Sequence, residues 1–148
     1  MSGFRMESDM QNLADMSEDV RVVFLKALVR LAKIDGNFDE NEREFVREVA
    51  LAYAVPASRF DEILNVESDE ALLEEVKVIK DRHIAMELVK EMCMLANTDG
   101  DLSDDEVMLI GRVGQAMGLE LGKIQQISQW VIDRIVWLEE GKIIFEKF

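Results

Sequence analysis

Two short acidic turns hold the side chains best suited to chemistry. The first, Leu31–Glu42, carries Asp35, Gly36, Asp39 and Glu42, and the second, Leu95–Glu106, carries Asp99, Gly100, Asp101, Ser103, Asp104, Asp105 and Glu106. From Asp99 to Glu106 there are five acids in eight residues and no base. Two carboxylates about 4 Å apart repel by roughly 1 kcal/mol in bulk water, and by several times that where water is partly excluded. A divalent cation relieves that repulsion, and an all-oxygen ligand set suits Ca²⁺ or Mg²⁺. If the two turns meet, Asp35, Glu42, Asp99 and Glu106 would be the direct ligands. Gly36, Asp39, Gly100, Asp101, Ser103, Asp104 and Asp105 would then supply turn geometry, helix caps and surrounding charge.

Neither turn is an EF-hand. With Gly100 at the sixth loop position, Asp99 falls at the fifth and Glu106 at the twelfth, but the first position, which needs a carboxylate, is Leu95; in the first turn it is Leu31. Helix capping explains much of the wording without any ligand. Asp39-x-x-Glu42 and Ser103-x-x-Glu106 are capping boxes, in which the cap side chain accepts from the third amide and the glutamate reaches back to the cap amide. The glycines suit a left-handed turn after a helix, and Phe38 and Leu102 suit a hydrophobic staple. Capping leaves Asp35 and Asp99 unexplained.

The elements that must position these turns also repeat, at an offset of 64 residues. Phe24 aligns with Leu88, Leu28 with Met92, Phe45 with Leu109, Val49 with Val113, Val55 with Leu119 and Ile63 with Ile127. The period is too long for a stacked solenoid, so it predicts one ancient duplication inside a single domain, with halves at about 24–63 and 88–127. Ser17 caps a central helix of nearly continuous apolar residues, interrupted by a cationic stripe of Lys26, Arg30 and Lys33 that reads as a solvated or salt-bridged edge. Asp39 caps a second helix facing inward through Phe45, Val49 and Ala52. Pro56 begins a short helix, and Ser68 opens an acidic one carrying Leu72, Leu73, Val76 and Ile79. The second half begins with Ile84–Leu95 and continues from Ser103 with Leu109, Ile110, Val113, Ala116 and Met117. Ile124, Ile127, Val131, Ile135 and Leu138 then mark a last amphipathic helix. About seven helices and no strand pattern make the class all-α, with a short N-terminal segment 1–16, a helical domain 17–140 and an apolar tail 141–148.

Size and charge narrow the function. The chain has 148 residues, 49% apolar and 32% charged, a globular composition able to bury a core. Its formal net charge of -14 repels nucleic-acid phosphates and anionic lipid headgroups, and leaves cationic partners or metal ions open. Lone Cys93 cannot form an internal disulfide and reads as a buried thiol of a reducing compartment. The N-terminal residues lack a signal-peptide layout and no run is apolar enough to span a bilayer, so the expected location is cytoplasmic, without membrane insertion. His83 stands alone and reads as a surface or capping residue; the methionines around Cys93 read as core. Trp130 and Trp137 share a helix face that either packs or anchors an interface. The tail offers a contact for the core or for a second copy, as in a homodimer.

The paired Asp-Gly-x-apolar-x-x-x-Glu turns, each joining a long apolar helix to a capped acidic one, resemble the TerB-like family of tellurite-resistance proteins. The same helical module stands at the front of a membrane-anchored DnaJ-type co-chaperone, whose co-chaperone activity is not expected to carry over, since neither its anchor nor its J domain is recognised in these 148 residues. The resemblance runs from Val20 to Leu138. It implies a compact fold of about seven helices with pseudo-symmetric halves and a role in a stress response. It also implies an acidic, metal-binding surface and partner proteins, some of them membrane-associated. The family's acidic motif falls on Asp35, Gly36, Glu42, Asp99, Gly100 and Glu106.

The expected function is therefore a non-enzymatic stress-response module whose paired acidic surface takes a divalent ion, a partner protein or both. One rival is a structural adaptor working through its apolar faces without metal. A second is a metal-dependent hydrolase, which would need a phosphate clamp that the turns lack apart from Arg43.

Overall fold

The computed structural model describes residues 16–34, 36, 38–97 and 102–146. Among these, seven α-helices and two 3₁₀ turns account for the regular structure, and there is no strand. We number the helices α1 (Glu18–Ala32), α2 (Glu40–Ala52), α3 (Phe60–Leu64), α4 (Asp69–Glu75), α5 (Arg82–Ala96), α6 (Asp104–Ala116) and α7 (Leu121–Glu146). The bounds of α1 and α2, each shifted by 64 residues, are those of α5 and α6.

Local chemistry sets these limits. The Ser17 hydroxyl accepts from Val20 N–H, the Ser68 hydroxyl from Ala71 N–H, and the Asp81 carboxylate from His83 and Ile84 N–H. Gly36 and Gly118 follow helix ends with φ of +80° and +92°, the left-handed conformation that glycine adopts without a Cβ penalty. Pro56 caps a 3₁₀ turn at Ala57–Arg59 that runs into α3.

Helices α1 and α5 form the centre. Phe24, Ala27 and Leu31 of α1 pack with Leu88, Val89 and Met92 of α5, and α4, α6 and α7 close around them through Leu72, Val113 and Ile124. A second apolar cluster joins the other face of α1, through Val22, Leu25 and Val29, to Ala50, Val55, Phe60, Ile63 and Leu64. Cys93 is buried on α5; burial pushes its thiol up to about 11, partly offset by a hydrogen bond with Ser128 on α7. It is a core thiol.

The cationic stripe of α1 is salt-bridged and largely interior. Lys26 is only 8% exposed and bridges Glu62 at 3.1 Å and Glu75 at 2.5 Å, tying α1 to α3 and α4. Arg30 pairs with Asp69 at 2.8 Å, and the Lys33 ammonium donates to the Leu64 carbonyl.

Two expectations need correction. Residues 142–146 are not a separate tail, because α7 runs unbroken to Glu146. A glycine inside a helix costs only about 1 kcal/mol relative to alanine, and a 26-residue helix absorbs it. This end does not pack on the core: Ile143, Ile144, Phe145 and Trp137 are all exposed. On α2, the face expected to point inward is largely open. Ala50 alone is buried, Phe45 is 62% exposed and Ala52 is exposed.

Candidate acidic groove

The open face of α2 forms one wall of a groove of about 1070 Å³ whose other walls come from α1 and α5. Its bed is apolar. Phe38, Phe45, Val46, Val49 and Tyr53 line it from the α2 side, Leu28 and Leu31 from α1, and Met94 and Leu95 from α5. Its charged lining residues are Asp39, Glu42, Glu91 and Glu106, all carboxylates among the described residues. The Lys33 ammonium stands over the ring of Phe38, 5.3 Å from its centroid, and Lys33 itself lines a second, smaller pocket.

Each acidic wall element is fixed by its own helix start. The Asp39 carboxylate accepts from Glu42 N–H at 2.9 Å, and Asp39 N–H donates to Glu42 Oε1 at 3.4 Å. In the second half the Ser103 hydroxyl accepts from Glu106 N–H at 3.2 Å, and Ser103 N–H donates to Glu106 Oε1 at 2.9 Å. Both are the expected capping boxes, and each engages one oxygen of its glutamate.

Of the expected ligands, the structure brings Glu42 and Glu106 to the same groove, at the edge where α2 and α6 begin. Gly36 and Asp39 line it as well. Asp104 and Asp105 are exposed in the first turn of α6, and Asp105 lines a separate pocket of about 330 Å³ with Arg30, Lys33, Asp69 and Arg112. Asp35, Asp99, Gly100 and Asp101 lie outside the described residues. Among the described residues, no three His, Cys, Asp or Glu side chains stand close enough together to hold a metal ion. Also among them, no helix is long and apolar enough to cross a membrane.

Glu91 was missed by sequence reasoning. It lies mid-helix on α5, in no turn or cap motif, and only its i+4 relation to Leu95, another groove residue, hinted at a shared face.

Residues 5–65 match the family model for tellurite resistance protein TerB. That segment is similar to TerB, and it spans less than half of the chain. The TerB match takes in α1, α2 and α3, and with them Asp35, Asp39, Glu42 and the α2 wall of the groove. The TerB-like segment thus contains the first acidic turn, while Glu91 and Glu106 come from the half beyond it. No curated protein and no solved structure matches the chain.

Proposed function

We propose that this TerB-like chain is a non-enzymatic, cytoplasmic module of a tellurite-type stress response that docks partner proteins through the acidic groove. The observation that carries this reading is the convergence of Glu42 and Glu106 on one apolar-bedded groove. An open apolar surface rimmed by polar groups marks an interaction site more often than a solvated face, and a rim of one charge sign steers and selects partners of the other. The net charge of -14 extends the same field over the whole surface. Hydrolysis or phosphoryl transfer fits less well, because a phosphate would meet carboxylates at this rim and no cation among the described lining residues.

A second reading is favoured by the same convergence. The caps engage one oxygen of Glu42 and one of Glu106. The remaining oxygens, with Asp35 and Asp99, would offer Ca²⁺ or Mg²⁺ an all-oxygen site at the groove's end. An ion at a hundred times its dissociation constant raises stability by about 2.7 kcal/mol. Melting in excess Ca²⁺ or Mg²⁺ against chelator, for wild type and Glu42→Gln/Glu106→Gln, tests it: a gain confined to wild type supports the site, and no gain removes it.

The docking reading is tested by tellurite tolerance in cells of the native host from which the gene has been deleted. Wild type is expected to restore tolerance, and Glu42→Gln/Glu91→Gln/Glu106→Gln is expected not to. Full restoration by the triple variant would contradict the groove, and no restoration by wild type would contradict the stress role.

A further inference from the structure

We infer that the groove's occupant is an amphipathic α-helix of a partner protein, about three turns long, with an apolar ridge and Lys/Arg shoulders; this rests on the docking reading above. The first argument is a comparison inside the chain. Helices α2 and α6 occupy matching positions in the 64-residue register and share the same capping box. On α6, Leu109 is 2% and Val113 0% exposed, because α4, α5 and α7 all pack on that helix. On α2 the corresponding Phe45 is 62% exposed and Val49 is half-buried. A face that helices cover on α6 is left open on α2 among the described residues.

The second argument is shape. The groove residues Glu42, Phe45, Val49 and Tyr53 follow one another at helical spacing along α2 and its C-cap, a line of about 17 Å at 1.5 Å per residue. That length matches about three turns of a helix lying alongside. Helix-in-groove docking reads such a ridge through anchors at i, i+3 or i+4, and i+7.

The third argument is charge, and it selects among occupants. Asp39, Glu42, Glu91 and Glu106 rim the groove, so the shoulders of the incoming helix must be cationic. A second copy of this chain is a poor match. Its own exposed apolar helix end carries Glu139, Glu140 and Glu146 against Lys142, and two copies of charge -14 repel.

The test uses two synthetic fluorescein-labelled peptides of identical Leu/Lys/Pro composition, each about 16 residues long so that a helix spans the whole ridge. One is helix-competent, with its prolines at the first positions; the other carries them in the middle and cannot form the helix. Fluorescence polarisation is read against the full chain, Phe45→Ser, Trp137→Ser and Glu42→Gln/Glu91→Gln/Glu106→Gln. Phe45 and Trp137 are both exposed, so neither change threatens the fold.

The expected result is binding of the helix-competent peptide, weakened about tenfold or more by Phe45→Ser, as for a buried aromatic anchor. Trp137→Ser should leave it unchanged, and the triple Gln variant should weaken it and flatten its salt dependence. Equal binding of both peptides, still sensitive to Phe45→Ser, would overturn the helical occupant and leave the docking groove standing. Binding of neither, or binding insensitive to Phe45→Ser, would overturn both. Concentration-dependent dimerisation of the free chain that Phe45→Ser abolishes would give the groove to a second copy and overturn the inference.

Discussion

Glu42 and Glu106 each close the capping box of their own helix and both face one groove, although 64 residues separate them in the chain. The return bond is 3.4 Å at Glu42 and 2.9 Å at Glu106. One carboxylate thus serves the fold and the surface at once, and substitutions can separate the two roles. Removing the cap acceptor, in Asp39→Ala or Ser103→Ala, is expected to cost about 1 kcal/mol in urea unfolding. Glu42→Gln/Glu106→Gln keeps a carbonyl oxygen for the return bond and is expected to stay within about 0.5 kcal/mol of wild type. A much larger loss in the double Gln variant would mean that the carboxylate charge holds the fold.

The Lys26 hub has two sides of unequal weight. Glu62 and Glu75 remain partly exposed and can rehydrate when their partner is lost, whereas Lys26 is buried and cannot. Lys26→Met, which keeps the aliphatic stem, is therefore expected to cost about 1 kcal/mol or less, since burying an apolar group of similar shape is often neutral. Glu62→Gln/Glu75→Gln strands a buried cation and is expected to cost about 3 kcal/mol. Denaturant midpoints of the two variants check the order.

The same hub sets a pH profile. Burial draws the Lys26 ammonium down, but its bonds with Glu75 and Glu62 outweigh this and hold it above its ordinary 10.5. Its stabilisation is complete below 10.5 and is lost as pH rises through the folded value. Glu62 is held below its ordinary 4.5 chiefly by Arg59, so its contribution is complete above 4.5 and fades as pH falls through the folded value. Lys33 acts in the opposite sense to Lys26: burial, then Arg30 and Arg43, lower it, and that penalty is relieved as alkali removes its proton. Stability against pH should therefore fall in acid, and the alkaline fall should be smaller in Lys26→Met than in wild type.

Two glycines of α6 should respond to alanine with opposite signs. A Cβ on Gly111 meets nothing within 4 Å, so Gly111→Ala should gain about 0.5–1 kcal/mol from helix propensity. A Cβ on Gly114 would stand 2.6 Å from Ile124 Cδ1, 2.8 Å from Ile124 Cγ1 and 3.3 Å from Val89 Cγ2. Overpacking of that kind costs about 1–3 kcal/mol, more than the propensity gain, so Gly114→Ala should be the less stable of the pair and below wild type. Thermal melts of the two variants decide it.

The all-helical class and the caps at Ser17, Asp39, Ser68 and Ser103 were legible because they are written in local chemistry: periodicity, a cap acceptor and a first-turn acid. The open α2 face was not. Phe45 and Leu109 look alike in sequence, and only the tertiary placement of α4, α5 and α7 decides which is covered. Gly141 misled for the opposite reason, since one glycine is too weak a breaker to end a helix that continues on both sides. Glu91 carried no local signal, because its role comes from what α2 leaves uncovered.

The central claim is that the open face of α2 is the docking surface, and amide hydrogen exchange tests it most directly. With Ala50 as its one buried residue, α2 should exchange faster than α1 or α5 in the free chain. Saturation with the helix-competent cationic peptide should slow exchange across residues 38–53 and 91–95 and leave the end of α7 unchanged. Slowing confined to residues 130–146, with α2 unaffected, would contradict the account.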